Sequence, residues 1–245
     1  MDGVWESYTA LNLEPYADNP EAAPDGIYSA EHFTRMAAEC DKLGLQIFVH
    51  CCGDGAVRRT LDGYEAVQKL NGERDSRHRV EHIEVIHPDD LPRFKQLGVI
   101  ASMQTSHAPF SISEGDVWPA RTGSQRWGKS FAWRDIKNAG AHLALGSDWT
   151  VAPFDPMINM HVAFNREKWS PEDPDQTLTL EEVLLGYTRD AAYAEFKEHE
   201  KGQIKEGYLA DLVLFSHDLF SVPREKITEA SAVMTIVDGK VVFEA

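Results

Sequence analysis

Leu45-Gln46-Ile47-Phe48-Val49-His50-Cys51-Cys52-Gly53-Asp54-Gly55 is the stretch whose reading decides the fold. Its first five residues are a short run that is mostly apolar and ends on a polar His50, which predicts a β-strand. Gly53-Asp54-Gly55 lacks the spacing of a phosphate loop or a dinucleotide fingerprint, so it reads as a strand-to-helix turn. Val57, Leu61, Tyr64 and Val67 then recur at helical spacing and predict a helix over about 56–70. On the N-terminal side, Ser29 and Glu31 open a helix that runs to Leu43 and stops at Gly44. Residues 1–28, rich in Pro, Asp and Ala, read as a long loop.

The alternation continues downstream. Strands are expected over 79–83, 99–103 and 142–146. A helix from His87 to Leu97 is stopped by Gly98, and one from Phe131 to Ala139 by Gly140. Two long loops, about 105–130 and 149–178, carry Pro109, Pro119, Pro153, Pro156, Pro171 and Pro174. Thr179 and Glu182 have capping-box spacing, so a helix is expected over about 180–196. Segments 209–215 and 232–243 are strand-like, with Asp238-Gly239 as a hairpin turn. Strands alternating with helices predict an α/β fold with a parallel sheet. The short apolar strands read as covered on both faces. The tail is a small antiparallel unit.

Composition narrows the class. The 245 residues are 42% hydrophobic and 26% charged, enough for a sizeable core. Net charge is −16, which disfavours nucleic acid and anionic membrane as partners. No apolar run is long enough for a membrane span, and no secretory signal is visible. Three cysteines without Cys-x-x-Cys spacing suit a reducing, cytoplasmic setting, with the thiols acting as small buried residues.

Three polar residues fall at or near the C-terminal ends of predicted strands: His50, His82 and Asp148. In a parallel sheet or barrel these ends face the active site. Two imidazoles and a carboxylate suit a divalent metal such as zinc, manganese or iron, with the carboxylate taking a proton from activated water. Each has a plainer reading too, as a hydrogen-bonded strand-end histidine or a turn-capping aspartate. His107, after the third strand, reads as a substrate or oxyanion contact or as a simple loop histidine. Trp118, Trp127, Trp149, Phe154 and Trp169 in the two loops read as pocket lining for an aryl or alkyl group, or as loop packing. No Gly-x-Ser-x-Gly elbow is present, and no Cys-His pairing is evident from the sequence.

Together these segments resemble the C-terminal part of the metal-dependent amidohydrolases, in particular amidohydrolase family 3, which includes N-substituted formamide deformylase-like proteins. The resemblance rests on His50-Cys51-Cys52-Gly53-Asp54-Gly55-Ala56, Arg79-Val80-Glu81-His82, and Gly98 to Gln104 with His107. It continues through Gly146-Ser147-Asp148-Trp149, Tyr187-Thr188 and Lys201-Gly202-Gln203 to Ala210-Asp211-Leu212. It implies the second half of a (β/α)8 barrel, strands five to eight, over 1–200, and part of a small β-sandwich over 201–245. By the same resemblance His50, His82 and Asp148 are metal ligands and Asp148 is also the proton shuttle; His107 joins it as a catalytic candidate on its reading as a substrate or oxyanion contact. The implied cofactor is a divalent metal, zinc foremost, with one or two ions in a complete site. The implied reaction is hydrolysis of a non-peptide carbon–nitrogen bond, of amide or N-formyl type, in a small-molecule substrate.

The chain also departs from the family pattern. It contains no His-x-His, and Asp2-Gly3-Val4-Trp5-Glu6-Ser7 resembles the stretch just after the strand-four lysine. A complete barrel needs about 250 residues by itself. The expectation is therefore a half-barrel with unpaired strand edges. The first reading is a fragment or truncated gene product of such a hydrolase; the others are completion by a separate N-terminal half or by self-association, and a non-catalytic remnant or assembly subunit.

Overall fold

The computed structural model describes residues 1–113 and 115–245; Glu114, in the 105–130 loop, lies outside them. The chain divides into two units. One comprises Met1–Met103, Ser111–Leu143 and Lys168–Gln176, the other Gln104–Phe110, Ala144–Glu167 and Thr177–Ala245.

In the first unit, residues 1–28 are loop apart from a 3-10 turn at Trp5–Ser7. Helix α1 (Ala30–Lys42) starts where the Ser29 side chain accepts the His32 N–H, and Gly44 follows its end at φ +79°. Strand β1 (Phe48–Cys51) leads to α2 (Asp54–Asn71), then to β2 (Arg79–His82). A 3-10 turn at Pro88–Asp90 runs into α3 (Leu91–Leu97), which Gly98 closes at φ +63° before β3 (Ile100–Met103). The first long loop is not bare. It holds α4 (Val117–Thr122) and α5 (Ser124–Trp127), followed by α6 (Trp133–Asn138). Strand β4 (Leu143–Leu145) completes the sheet order β1-β2-β3-β4; Leu143 belongs to this unit and Ala144 and Leu145 to the other.

The sheet pairing is parallel where its register is defined: Val49 lies opposite Val80, His50 opposite Glu81, and Glu81 opposite Ser102. The period of two sorts the side chains. Val49, Cys51, Val80 and Ala101 are buried, and Cys51 Sγ lies 3.2 Å from Thr60 Oγ1 on α2. The opposite face carries Phe48, His50, Arg79 and Glu81. There Arg79 donates to Glu81 and to Ser102 Oγ and sits 4.1 Å over the Phe48 ring. The expectation of strands covered on both faces therefore holds for β3 and β4 alone. In β1 and β2 an exposed Phe48 and an ion pair break the apolar run. The helix layer is tight: a Cβ on Gly63 of α2 would lie 2.5 Å from the Phe33 ring of α1. Only glycine permits that approach.

In the second unit, a 3-10 turn at Thr105–His107 precedes α7 (Pro156–Asn165), α8 (Leu180–Tyr187) and α9 (Arg189–Ala194). Asp155 caps α7 by accepting the Met157 N–H at 2.9 Å. Thr179 and Glu182 form the expected capping box. The single helix expected over 180–196 is two, broken at Thr188, whose backbone leaves the helical region and whose hydroxyl donates to the Leu184 carbonyl. Strands β5 (Leu212–Phe215), β6 (Ala232–Val237) and β7 (Lys240–Glu244) form an antiparallel sheet in that order. Asp238 and Gly239 both take positive φ at the β6–β7 turn, as a type I′ hairpin requires. Among the described residues no helix is long and apolar enough to cross a membrane.

Candidate metal centre

His50 is the third residue of β1 and His82 is the last of β2. Strict alternation would put His82 on the helix side with its register partner Cys51. It does not stay there. His82 takes φ +71° and Ile83 φ +52°, and the chain turns so that the His82 ring lies 4.5 Å from the His50 ring, edge to face. A left-handed backbone at a non-glycine residue costs on the order of 1–3 kcal/mol and persists only where its surroundings hold it.

Around this pair the first unit places three acidic residues with different tasks. Asp2 is buried. It accepts the N–H groups of Leu11 at 2.8 Å, Cys52 at 3.1 Å and Gly53 at 2.9 Å, and its Oδ1 lies 3.5 Å from His50 Nδ1. Glu81 is held by Arg79. Glu84 is buried and accepts the Trp118 Nε1–H at 2.8 Å; burial pushes its carboxyl up to about 7. Cys52 Sγ lies 3.8 Å from His50 Nε2, and burial holds the Cys52 thiol well above its ordinary range.

In the second unit, Asp148 follows β4 and takes φ +57°. Its Oδ2 lies 3.8 Å from His107 Nε2. The turn bearing His107 is latched to α7. Thr105 Oγ1 donates to the Asn159 carbonyl at 2.6 Å, and the Ser106 N–H donates to Asn159 Oδ1 at 3.2 Å. Asn159 is fully buried.

The structure thus brings His50 together with His82, and His107 together with Asp148. Sequence reasoning missed Asp2, Glu84 and Asn159. Asp2 and Asn159 act through contacts about fifty residues away in the chain, which no local pattern marks. The loop aromatics do not form one group. Trp118 is buried against Phe131 and Trp169. Trp127 and Trp169 line a cleft of about 380 Å³ with Ile112 and Pro119. Trp149 and Phe154 form an exposed edge-on pair.

The model of the amidohydrolase family matches residues 1–243. The protein LONG AFTER FAR-RED 3 of Arabidopsis thaliana is 35% identical over 250 residues, covering 99% of this chain and 42% of its own length. N-substituted formamide deformylase of Arthrobacter pascens is 28% identical over 220 residues, covering 89% of this chain and 40% of its own. The crystal structure of an uncharacterized metal-dependent hydrolase from Pyrococcus horikoshii superposes with a TM-score of 0.78 at 26% identity, over 91% of this chain and 44% of that one. The chain spans less than half the length of each of these relatives. Over that span, by the family match and the identity to its relatives, it belongs to the amidohydrolase family.

Proposed function

We propose that this chain contributes to a metal-dependent hydrolase acting on non-peptide carbon–nitrogen bonds, of amide or N-formyl type, in a small-molecule substrate. His50, His82 and Asp148 hold a divalent metal, zinc foremost. Two imidazoles and a carboxylate form a donor set that zinc accepts. The observation that carries the reading is His82, which leaves strand alternation at φ +71° to bring its ring 4.5 Å from that of His50. When bound, the metal supplies Lewis acidity and lowers the pKa of water.

The chain's own residues do the rest. Asp148 takes the proton of the attacking water and delivers it to the leaving nitrogen. His107, 3.8 Å from Asp148, donates toward the carbonyl oxygen as charge develops there. The architecture we propose is strands five to eight of a (β/α)8 barrel within 1–200, with 201–245 as part of a β-sandwich. A complementary N-terminal half or a second copy completes the barrel, in the cytoplasm.

The test measures zinc per chain and hydrolysis of N-substituted formamides and simple amides, with and without chelator. Chelation should abolish the rate, and Asp148→Asn should nearly do so. Hydrolysis that survives both would refute the metal mechanism. Stoichiometric zinc without hydrolysis would favour the non-catalytic assembly subunit.

A further inference from the structure

We infer that the cleft between Trp127 and Trp169 binds a one-ring aromatic ammonium, held by the two indole rings and the Asp116 carboxylate. The inference stands apart from the metal assignment, since none of these residues is a proposed ligand. The cleft lies wholly in the first unit, and its volume of about 380 Å³ falls at the small end of small-molecule sites. Ile112, Pro119 and Ala120 make the rest of its wall largely apolar. Asp116 is the only charged residue among the described ones that line it.

Both indoles are partly exposed, and Trp169 is backed by a fixed aromatic layer. Its ring packs at 5.3 Å on buried Trp118 and at 6.3 Å, edge-on, on buried Phe131. Trp118 is itself pinned through its Nε1–H to Glu84 at 2.8 Å. This wall is formed before a ligand arrives, which spares the ligand the cost of ordering it. Asp116 is fixed as well, because its Oδ2 accepts the Ser113 N–H at 2.7 Å. The cations on the flanking segments are committed elsewhere. Arg121 donates to Asp18 and to the Glu6 carbonyl, Arg126 to the carbonyls of Thr122, Glu14 and Pro15, and Lys168 to the Pro171 carbonyl. The cleft thus pairs an uncompensated carboxylate with two electron-rich rings. Indole attracts a cation over its face more strongly than any other side chain, and the same face repels an anion.

The test is calorimetric titration of the 245-residue chain with benzyltrimethylammonium, benzyl alcohol and benzoate, which share a ring and differ in charge. The cation should bind, the alcohol more weakly and benzoate not at all. D116N keeps an acceptor for Ser113; it should weaken the cation about 2- to 5-fold, the worth of an exposed charge pair, and leave the alcohol unchanged. W127A and W169A should each weaken the cation about 10-fold or more. In nitrogen–proton spectra the indole N–H signals of Trp127 and Trp169, assigned with W127F and W169F, should move as the cation is added, and that of the fully buried Trp5 should not. No binding at millimolar cation overturns the inference, and so does an affinity for benzoate or the alcohol equal to that for the cation. Undiminished binding in folded W127A and W169A overturns it too. If the alanine variants do not fold, the wild-type indole signals decide, and movement confined to other tryptophans overturns it.

Discussion

His78 makes stability depend on mild acid in a calculable way. It is buried in the first unit, with its ring 4.8 Å from that of Tyr64. The Ile47 N–H donates to Nδ1 at 3.2 Å, so Nδ1 must keep its lone pair; Nε2 lies 3.2 Å from Asp41 Oδ1. Burial pulls the imidazole down from 6.5 to about 4, against the pull of the Asp41 carboxylate and with the help of Arg74. Asp41 keeps its charge. Burial alone would raise it, but the bonds from Asn71 and Arg74 and the Arg74 charge outweigh that and hold it below its ordinary value. A histidine with a lowered folded pKa favours unfolding when protons are added. Its contribution is complete above about pH 6.5 and is lost as pH falls from there toward 4. Linkage puts the loss at about 2 kcal/mol by pH 5 and about 3 kcal/mol by pH 4. His78→Asn keeps an acceptor for Ile47 and removes the titration. Between pH 8 and pH 5 the wild type should lose about 2 kcal/mol more than the variant, roughly 1 M in urea midpoint by tryptophan fluorescence. Parallel profiles for the two proteins would refute the neutral, buried His78.

Two further outcomes are expected. Burial pushes the Cys51 thiol up to about 12 and raises that of Cys52, whereas Cys40 is only partly covered. An aromatic disulfide reagent should therefore titrate one thiol quickly in the native chain and the other two only in denaturant; three fast thiols would contradict the burial. Asn159→Ala leaves the Ser106 N–H without its acceptor and should cost about 1–3 kcal/mol. Hydrogen exchange over 104–108 should accelerate in that variant and not in Ile158→Ala, whose side chain is partly exposed; equal protection in both would mean that Asn159 does not hold the His107 turn.

The parts of the molecule that could be read from sequence are those set by neighbours in the chain. The caps at Ser29 and Thr179, the stops at Gly44 and Gly98 and the Asp238-Gly239 hairpin each rest on contacts within a few residues, and each is present. Helix α7 was hidden by its own start signal. Pro156 read as loop punctuation, yet after a capping Asp155 it is a first-turn proline, the place where a helix accepts one. The candidate site divides the same way. His50, His82 and Asp148 were visible because strand ends mark positions. What orients them was not. Period-two reading sends His82 to the wrong face, and only the positive φ at His82 and Ile83 brings it back. Asp148 leaves the extended region in the same way. Two proposed ligands thus sit on backbone that local sequence preference disfavours, and the third, His50, lies 3.5 Å from a buried carboxylate 48 residues before it in the chain. Local consistency specifies the scaffold, and the departures from it gather where side chains must be aimed. Long-range partners such as Asn159, which holds the turn bearing His107, do this from about fifty residues away, so the residues to mutate first are those partners as well as the ligands themselves.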